Sequence, residues 1–236
     1  VCSLVGSEMC IRDSINTGSP IKMPWAKKAK AIIQTWFAGQ EFGNALFDIL
    51  FGEVNPSGKL PTSFPVSIED TPAFNCYPGK DLQMNYDEKL LVGYKWYEKK
   101  NIEPLFCFGH GLSYTNFCYE NLEVIVKNNH EISCKFTIKN LGDIAGAEIA
   151  QCYVGFLDPA EEEPNKTLQG FTKIDIDANE SKDVEIKLLH RNFSYWSVDT
   201  NTWQIKGGSY QIYIGSSSQN ISLKSVINLE PVLEVL

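Results

Sequence analysis

A chain of 236 residues with 43% apolar content has room for one large or two modest domains, each with enough apolar side chains to bury a core. Its formal net charge of −8 and pI near 5.0 argue against binding nucleic acid or an anionic membrane through bulk electrostatics. No apolar run approaches the length that spans a bilayer, and the start carries no charged-then-apolar leader pattern, so the sequence reads as that of a soluble chain.

Residues 1–14 have no helical or strand period and no cap leading onward. They read as foreign to the rest of the chain, in the manner of translated sequencing adaptor, and are expected to be disordered or loosely packed. The apolar run from Ala29 to Phe37 predicts a strand around Ile32 and Ile33, apolar on both faces like the middle strand of a parallel sheet. Parallel neighbours need crossover helices for which there is no room before residue 15. The sheet is therefore expected to be incomplete and to expose an apolar edge. Next, Phe42, Ala45, Leu46, Ile49 and Leu50 recur at helical spacing, predicting a helix from near Glu41 to Gly52 that packs on a sheet, with Phe47 and Phe51 widening its apolar face. Pro56, Gly58, Pro61 and Pro65 then punctuate a segment that Leu60 and Phe64 would pin onto a core.

From Val66 to Thr115 the chain is aromatic and irregular, with Phe74, Tyr77, Tyr86, Tyr94, Trp96, Tyr97, Phe106, Phe108 and Tyr114. Such rings serve as sugar platforms or, more commonly, as packing. Asp87 and Glu88 precede an apolar run, where acids favour a helix N-terminus. After Thr115 the period becomes two. Leu122, Val124 and Val126, then Ile132, Cys134, Phe136 and Ile138, alternate with polar neighbours, and turns are expected at 128–130 and 140–143. Strands at Ile149 to Val154, Val184 to Leu188 and Tyr210 to Ile214 complete a β-sandwich of about a hundred residues. The acidic run 161–163 reads as a solvated loop.

Three motifs carry a resemblance. They are Asn16-Thr-Gly-Ser-Pro20 with Trp25; the run from Gly39-Gln-Glu to Asn55-Pro-Ser-Gly-Lys-Leu-Pro-Thr-Ser-Phe-Pro65; and Tyr86, Gly93-Tyr-Lys-Trp-Tyr97 and Phe108-Gly-His-Gly-Leu-Ser-Tyr-Thr115. Together they resemble the second domain of family 3 glycoside hydrolases, the β-glucosidase family. The resemblance implies an α/β fold in which a buried strand precedes Asn16, followed by a fibronectin type III-like domain. It divides the chain into a foreign leader (1–14), the end of an α/β sandwich domain (15–115), an all-β sandwich (116–228) and a tail (229–236). The sandwich is expected to fold alone, unless Phe106, Phe108 and Tyr114 bury against it and make one unit of the two portions.

The resemblance also implies a retaining enzyme that releases terminal β-D-glucosyl residues from β-linked glucosides or oligosaccharides. β-Xylosidases and other exo-acting relatives share these motifs, and a non-catalytic carbohydrate-binding or interaction module is the reading from another class. A retaining glycosidase needs two carboxyl groups about 5 Å apart. In the family these are an Asp of a barrel domain and a Glu upstream of Asn16, so no catalytic residue is expected within this chain. Glu41 sits at a βα loop, where such sheets place ligands, but its first-turn position is explained by the helix dipole. His110, His130 and His190 form no legible nucleophilic or metal grouping and read as structural or solvated. Seven cysteines without a C-x-x-C pair suggest neither zinc nor a disulfide framework and read as reduced, buried hydrophobes suited to a reducing compartment such as the cytoplasm. No cofactor is expected. The sequons at Asn165, Asn179, Asn192 and Asn220 are common by chance and carry no weight.

Overall fold

The computed structural model of the chain describes residues 12–81, 83–127 and 131–233. Residues 1–11, Leu82, residues 128–130 (where a turn is expected and His130 lies) and 234–236 lie outside the described residues.

Strands β1 (Arg12–Ile15) and β2 (Ala31–Gln34) pair in parallel, as the apolar run around Ile32 predicts. Backbone pairing reaches back to Arg12, so residues 12–14 of the stretch expected to be loosely packed join a strand. Ladder hydrogen bonds are main-chain bonds and need no apolar period in the sequence. Helix α1 (Phe42–Phe51) comes next and stops at Gly52, whose φ of 81° is left-handed. It does not pack as expected: none of its residues is fully buried. Leu46 and Ile49 line a cleft towards Ile33, while Phe47 and Phe51, 52% and 70% exposed, stack on each other with centroids 4.4 Å apart. A small core of Ile15, Met23 and Phe64 gathers Trp25, Ile32, Trp36, Leu60 and Phe106. The proline-punctuated segment is pinned as its apolar residues suggest. Phe64 N donates to Phe106 O (2.8 Å) and Gly109 N to Leu60 O (2.8 Å), so residues 60–64 run as an extended pair against 106–110. Asp87 and Glu88 open no helix; α2 (Tyr94–Lys99) begins instead after Gly93, whose φ of 61° breaks the approach.

The rest is β-structure: β3 (Phe117–Lys127), β4 (Glu131–Asn140), β5 (Gly146–Phe156), β6 (Thr167–Ile176), β7 (Ser181–Leu189), the short hairpin β8 (Ser194–Ser197) and β9 (Thr202–Ile205), β10 (Gly208–Gly215) and β11 (Ile221–Leu229). A three-stranded sheet, β3-β4-β7, faces a four-stranded one, β11-β10-β5-β6. Ile132, Cys134, Phe136 and Ile138 meet Ala150, Cys152, Ile212 and Ile214 in the shared core. The chain is thus an α/β portion followed by a β-sandwich. The expected tail begins inside β11, and Val232 pairs with Ile205 beyond it (N to O 2.9 and 3.1 Å), capping the hairpin side of the core.

Strand β5 is apolar on both faces apart from Glu148 and Gln151, because both faces are covered. Ala150, Cys152 and Val154 point into the sandwich core, whereas Gln151 and Tyr153 are buried against the α/β portion. A strand covered on both faces has no polar side to show.

Candidate functional site

Open parallel sheets place ligands at the carboxyl ends of their strands. Here two loops meet at that edge. Ile15 O, at the end of β1, accepts from both Thr35 N and Thr35 Oγ1 at 2.9 Å. Gln34 Nε2 donates to Thr17 O (3.2 Å), and Thr17 Oγ1 in turn donates to Ser19 O (2.8 Å), so the 16–20 motif is held as a turn over β2. A Cβ on Gly18 would lie 2.6 Å from Phe37 Cε2, so a side chain there would displace that exposed ring. Trp36 adopts a left-handed φ of 53°, its ring 6.2 Å from that of Phe64, while Phe37 is 81% exposed. Gln34 Oε1 is buried and has no hydrogen-bond partner.

Between β2 and α1 lies a cleft of about 540 Å³. Glu41 is the one carboxylate among the residues lining it. It is exposed at the N-cap of α1, and Asn44 Nδ2 donates to its Oε2 at 2.5 Å. A lone carboxylate tied to the first turn can orient a polar group, but it cannot supply both the acid and the nucleophile of a retaining glycosidase.

Among the described residues, His110 and His190 add no nucleophilic site. His110 stacks on Phe106 (centroids 5.2 Å), and burial, aided by the nearby Lys59 ammonium, lowers its pKa, favouring the neutral ring. His190 opens a 3-10 turn at the end of β7. Among the described residues no three His, Cys, Asp or Glu side chains converge as a metal site. Of the aromatic residues, Tyr97 is buried, Trp96 Nε1 donates to Asp70 O (3.0 Å), and Tyr114 OH donates to Ile49 O (2.5 Å); these pack or brace. Phe74, Tyr77 and Tyr86 stay open to solvent.

The most built-up polar region is the seam between the two portions, to which the quoted motifs contribute Lys59, Tyr94, Phe108 and Gly109. Lys59 Nζ lies 3.2 Å from Glu148 Oε1, the side chains 11% and 5% exposed, and Tyr119 OH donates to the same oxygen at 2.9 Å. A second buried ion pair joins Glu98 of α2 to Lys166. Burial raises the Glu98 carboxyl pKa, opposed by the Lys166 charge. Tyr94 stacks on Phe108 (4.7 Å), meets Tyr153 edge-on (5.9 Å) and accepts from Leu168 N at its hydroxyl (2.7 Å), and burial pushes its pKa up to about 12. Gln151 Nε2 donates to Gly109 O (3.3 Å) and Ser216 O (2.7 Å). The acidic loop also takes part: Glu162 pairs with Lys89, and Lys99 Nζ donates to Ala160 O (2.7 Å). The sequence signal for this seam is slight. Glu148 and Gln151 interrupt an apolar strand, and charge there demands a buried partner.

Residues 14–114 match the glycosyl hydrolase family 3 C-terminal domain, and residues 148–218 match a fibronectin type III-like domain. The chain is 42% identical over 221 residues to thermostable β-glucosidase B of Acetivibrio thermocellus, covering 92% of this chain and 29% of that protein. It is 38% identical over 214 residues to a β-glucosidase of Bacteroides ovatus, covering 88% of this chain and again 29% of the relative. Among solved structures, a β-glucosidase of Bifidobacterium adolescentis superposes with a TM-score of 0.90 at 34% identity, covering 96% of this chain and 34% of that one. The β-glucosidase of Kluyveromyces marxianus in complex with glucose gives 0.88 at 34% identity, covering 94% and 26%. The chain thus spans under a third of the length of the curated relatives it matches.

Proposed function

Glycoside hydrolase family 3 is the family to which this chain belongs, and on that premise we propose that it forms the C-terminal part of a β-glucosidase releasing terminal non-reducing β-D-glucosyl residues with retention. The observation that carries this reading is the likeness, at 42% identity over 92% of the chain, to a thermostable β-glucosidase. The cleft between β2 and α1 supports the second half of the reading: with Glu41 as its one lining carboxylate, that cleft holds no acid–nucleophile pair. Both catalytic carboxylates then belong to parts of a longer protein, and β-linked glucosides bind through that protein.

On this reading the chain's own residues scaffold. The 16–20 turn, clamped by Gln34, and the 35–41 loop shape one edge of the sheet. The sandwich holds the proline-punctuated segment and α2 through the Lys59–Glu148 and Glu98–Lys166 pairs. Those buried pairs weigh against the independent-module reading, since a tethered module needs no desolvated charges shared with its neighbour.

The test is to express the gene with the reading frame extended upstream. Its product is assayed on aryl β-D-glucoside and aryl β-D-xyloside, with the anomer released followed by proton NMR. Preferential glucoside cleavage with β-glucose appearing first supports the proposal. A preference for the xyloside moves it to the exo-xylosidase alternative, and release of α-glucose first rules out retention.

A further inference from the structure

The hairpin β8–β9 belongs to neither sheet of the sandwich; its two strands pair as a sheet of their own. A two-stranded ribbon is marginal in water, so it needs anchors. Phe193 before it and Ile205 within it lie in the core, Ile205 exchanges main-chain bonds with Val232, and Thr202 Oγ1 donates to Leu233 O (3.1 Å). Its turn is tied as well: Gln204 Nε2 donates to Thr200 Oγ1 (2.8 Å), and Tyr195 OH donates to Gln204 Oε1 (3.2 Å). On this anchored ribbon Trp196 stands opposite Trp203, on the face that also carries Ile205. Ile205 is in the core, Trp203 is half-buried beside it, and Trp196 emerges with 44% of its surface open. The indoles meet at 64° with centroids 5.4 Å apart, and the Arg191 guanidinium lies 3.3 Å over the Trp203 ring. Arg191 thus caps Trp203, and Trp203 braces Trp196.

A large ring left open on a fixed frame marks a contact surface, and its size decides the kind of partner. A Trp side chain presents about 150–250 Å², so Trp196 offers on the order of 100 Å², whereas a stable protein interface takes about 800 Å² from each partner. That footprint is too small for a second copy of the chain or another folded protein, and it matches the face of a pyranose ring. Charge points the same way. Arg191 is already engaged with Trp203, and the turn beyond the rings brings Asp199 and the hydroxyls of Ser197, Thr200 and Thr202, groups that serve a neutral polyol. β-D-Glucopyranose holds its substituents equatorially, so its ring faces are flat C–H surfaces with hydroxyls at the rim, a shape that suits an indole with polar neighbours. We propose that the Trp196–Trp203 hairpin is a carbohydrate-binding platform, on which a pyranose ring of a β-linked glucan stacks against Trp196. The choice of β-linked glucose rests on the proposed function; the stacking chemistry does not.

The whole chain and Trp196→Ala are run in native gels containing soluble mixed-linkage β-glucan, α-linked dextran or no polysaccharide. The expected result is retardation by the β-glucan alone, with binding at least about tenfold weaker in Trp196→Ala, as for the loss of an aromatic anchor. Trp196→Tyr, which keeps a flat ring, should retain part of the retardation. A second reading uses the natural sequence and does not depend on a variant folding: cellohexaose should protect Trp196 from oxidation by N-bromosuccinimide, mapped by peptide mass. No retardation, equal retardation by dextran, retardation unchanged in Trp196→Ala, or an unprotected Trp196 overturns the proposal. So does self-association through Trp196 in sedimentation velocity, or a Trp196 that is unreactive without sugar in the upstream-extended product, because another copy or the rest of a longer protein is then the occupant. Polymer binding by this chain and turnover of small glycosides by the extended product are separate readouts, so failure of the platform and failure of the proposed function are told apart.

Discussion

Removing the ammonium of Lys59 tests how tightly the two portions are joined. Lys59 Nζ stands 3.2 Å from Glu148 Oε1, with both side chains nearly buried. At an effective dielectric of about 20 that separation corresponds to a gross attraction of about 5 kcal/mol, most of which offsets the cost of taking both charges out of water. The net value of the pair is therefore small, but breaking one side of it is not cheap. Lys59→Met leaves the Glu148 carboxylate with the Tyr119 hydroxyl alone, and such an orphaned buried charge costs about 3–5 kcal/mol. Adding Glu148→Gln removes the charge while keeping an acceptor for Tyr119, so the double variant should recover about 2 kcal/mol or more of the loss. Urea unfolding followed by tryptophan fluorescence reads both, as midpoint shifts at unchanged m-value. A Lys59→Met loss below about 1 kcal/mol, or no recovery in the double variant, would refute the reasoning.

Gly111→Ala should destabilise the chain by about 1–3 kcal/mol in the same assay, because a Cβ there would stand 2.1 Å from the Gly58 carbonyl and force the extended pair apart; unchanged stability would contradict that contact. Glu98 predicts a pH dependence. Its folded pKa is raised above 4.5 by burial, so its favourable contribution is complete below the unfolded value and is lost as pH rises through the folded one. The stability of the natural chain relative to Glu98→Gln should fall as pH rises above the ordinary carboxylate range, and a difference that grows with pH would count against it. Phe47 and Phe51 form an exposed stacked pair on α1, so replacing both by Glu should reduce concentration-dependent association in sedimentation velocity. Association that persists unchanged would place the sticky surface elsewhere.

The parts of the fold that show in the sequence are those where one face is wet. Strand β4 alternates cleanly because Lys135 and Lys139 face solvent while Phe136 and Ile138 are buried, and period two reports that directly. Strand β6 escapes the pattern, although Lys173 and Asp175 alternate with Ile174 and Ile176, because the preceding stretch around Gln169 and Gly170 breaks it where the Ile186 and Leu188 side chains fill the space above Gly170. The short hairpin β8–β9 and the edge strand β11 escape it too, being brief or only partly buried. The ends of helix α1 are legible to within a residue, yet its expected burial does not hold, since periodicity marks a face that can be covered and says nothing about what covers it. The sandwich meets the α/β portion along a built seam. Of the three rings named as possible bridges, Phe108 reaches the seam through Tyr94, Phe106 packs in the α/β core and Tyr114 braces α1. The seam is mostly polar, and its partners are distant in sequence, as Lys59 is from Glu148, so no local pattern announces them.

The most direct test of the central claim, that this chain supports glycoside hydrolysis without supplying its carboxylates, is a rate measurement on the purified 236-residue chain with an aryl β-D-glucoside. The account predicts no turnover above buffer for the natural chain and for Glu41→Gln alike. Turnover that co-purifies with the chain and disappears in Glu41→Gln would contradict it.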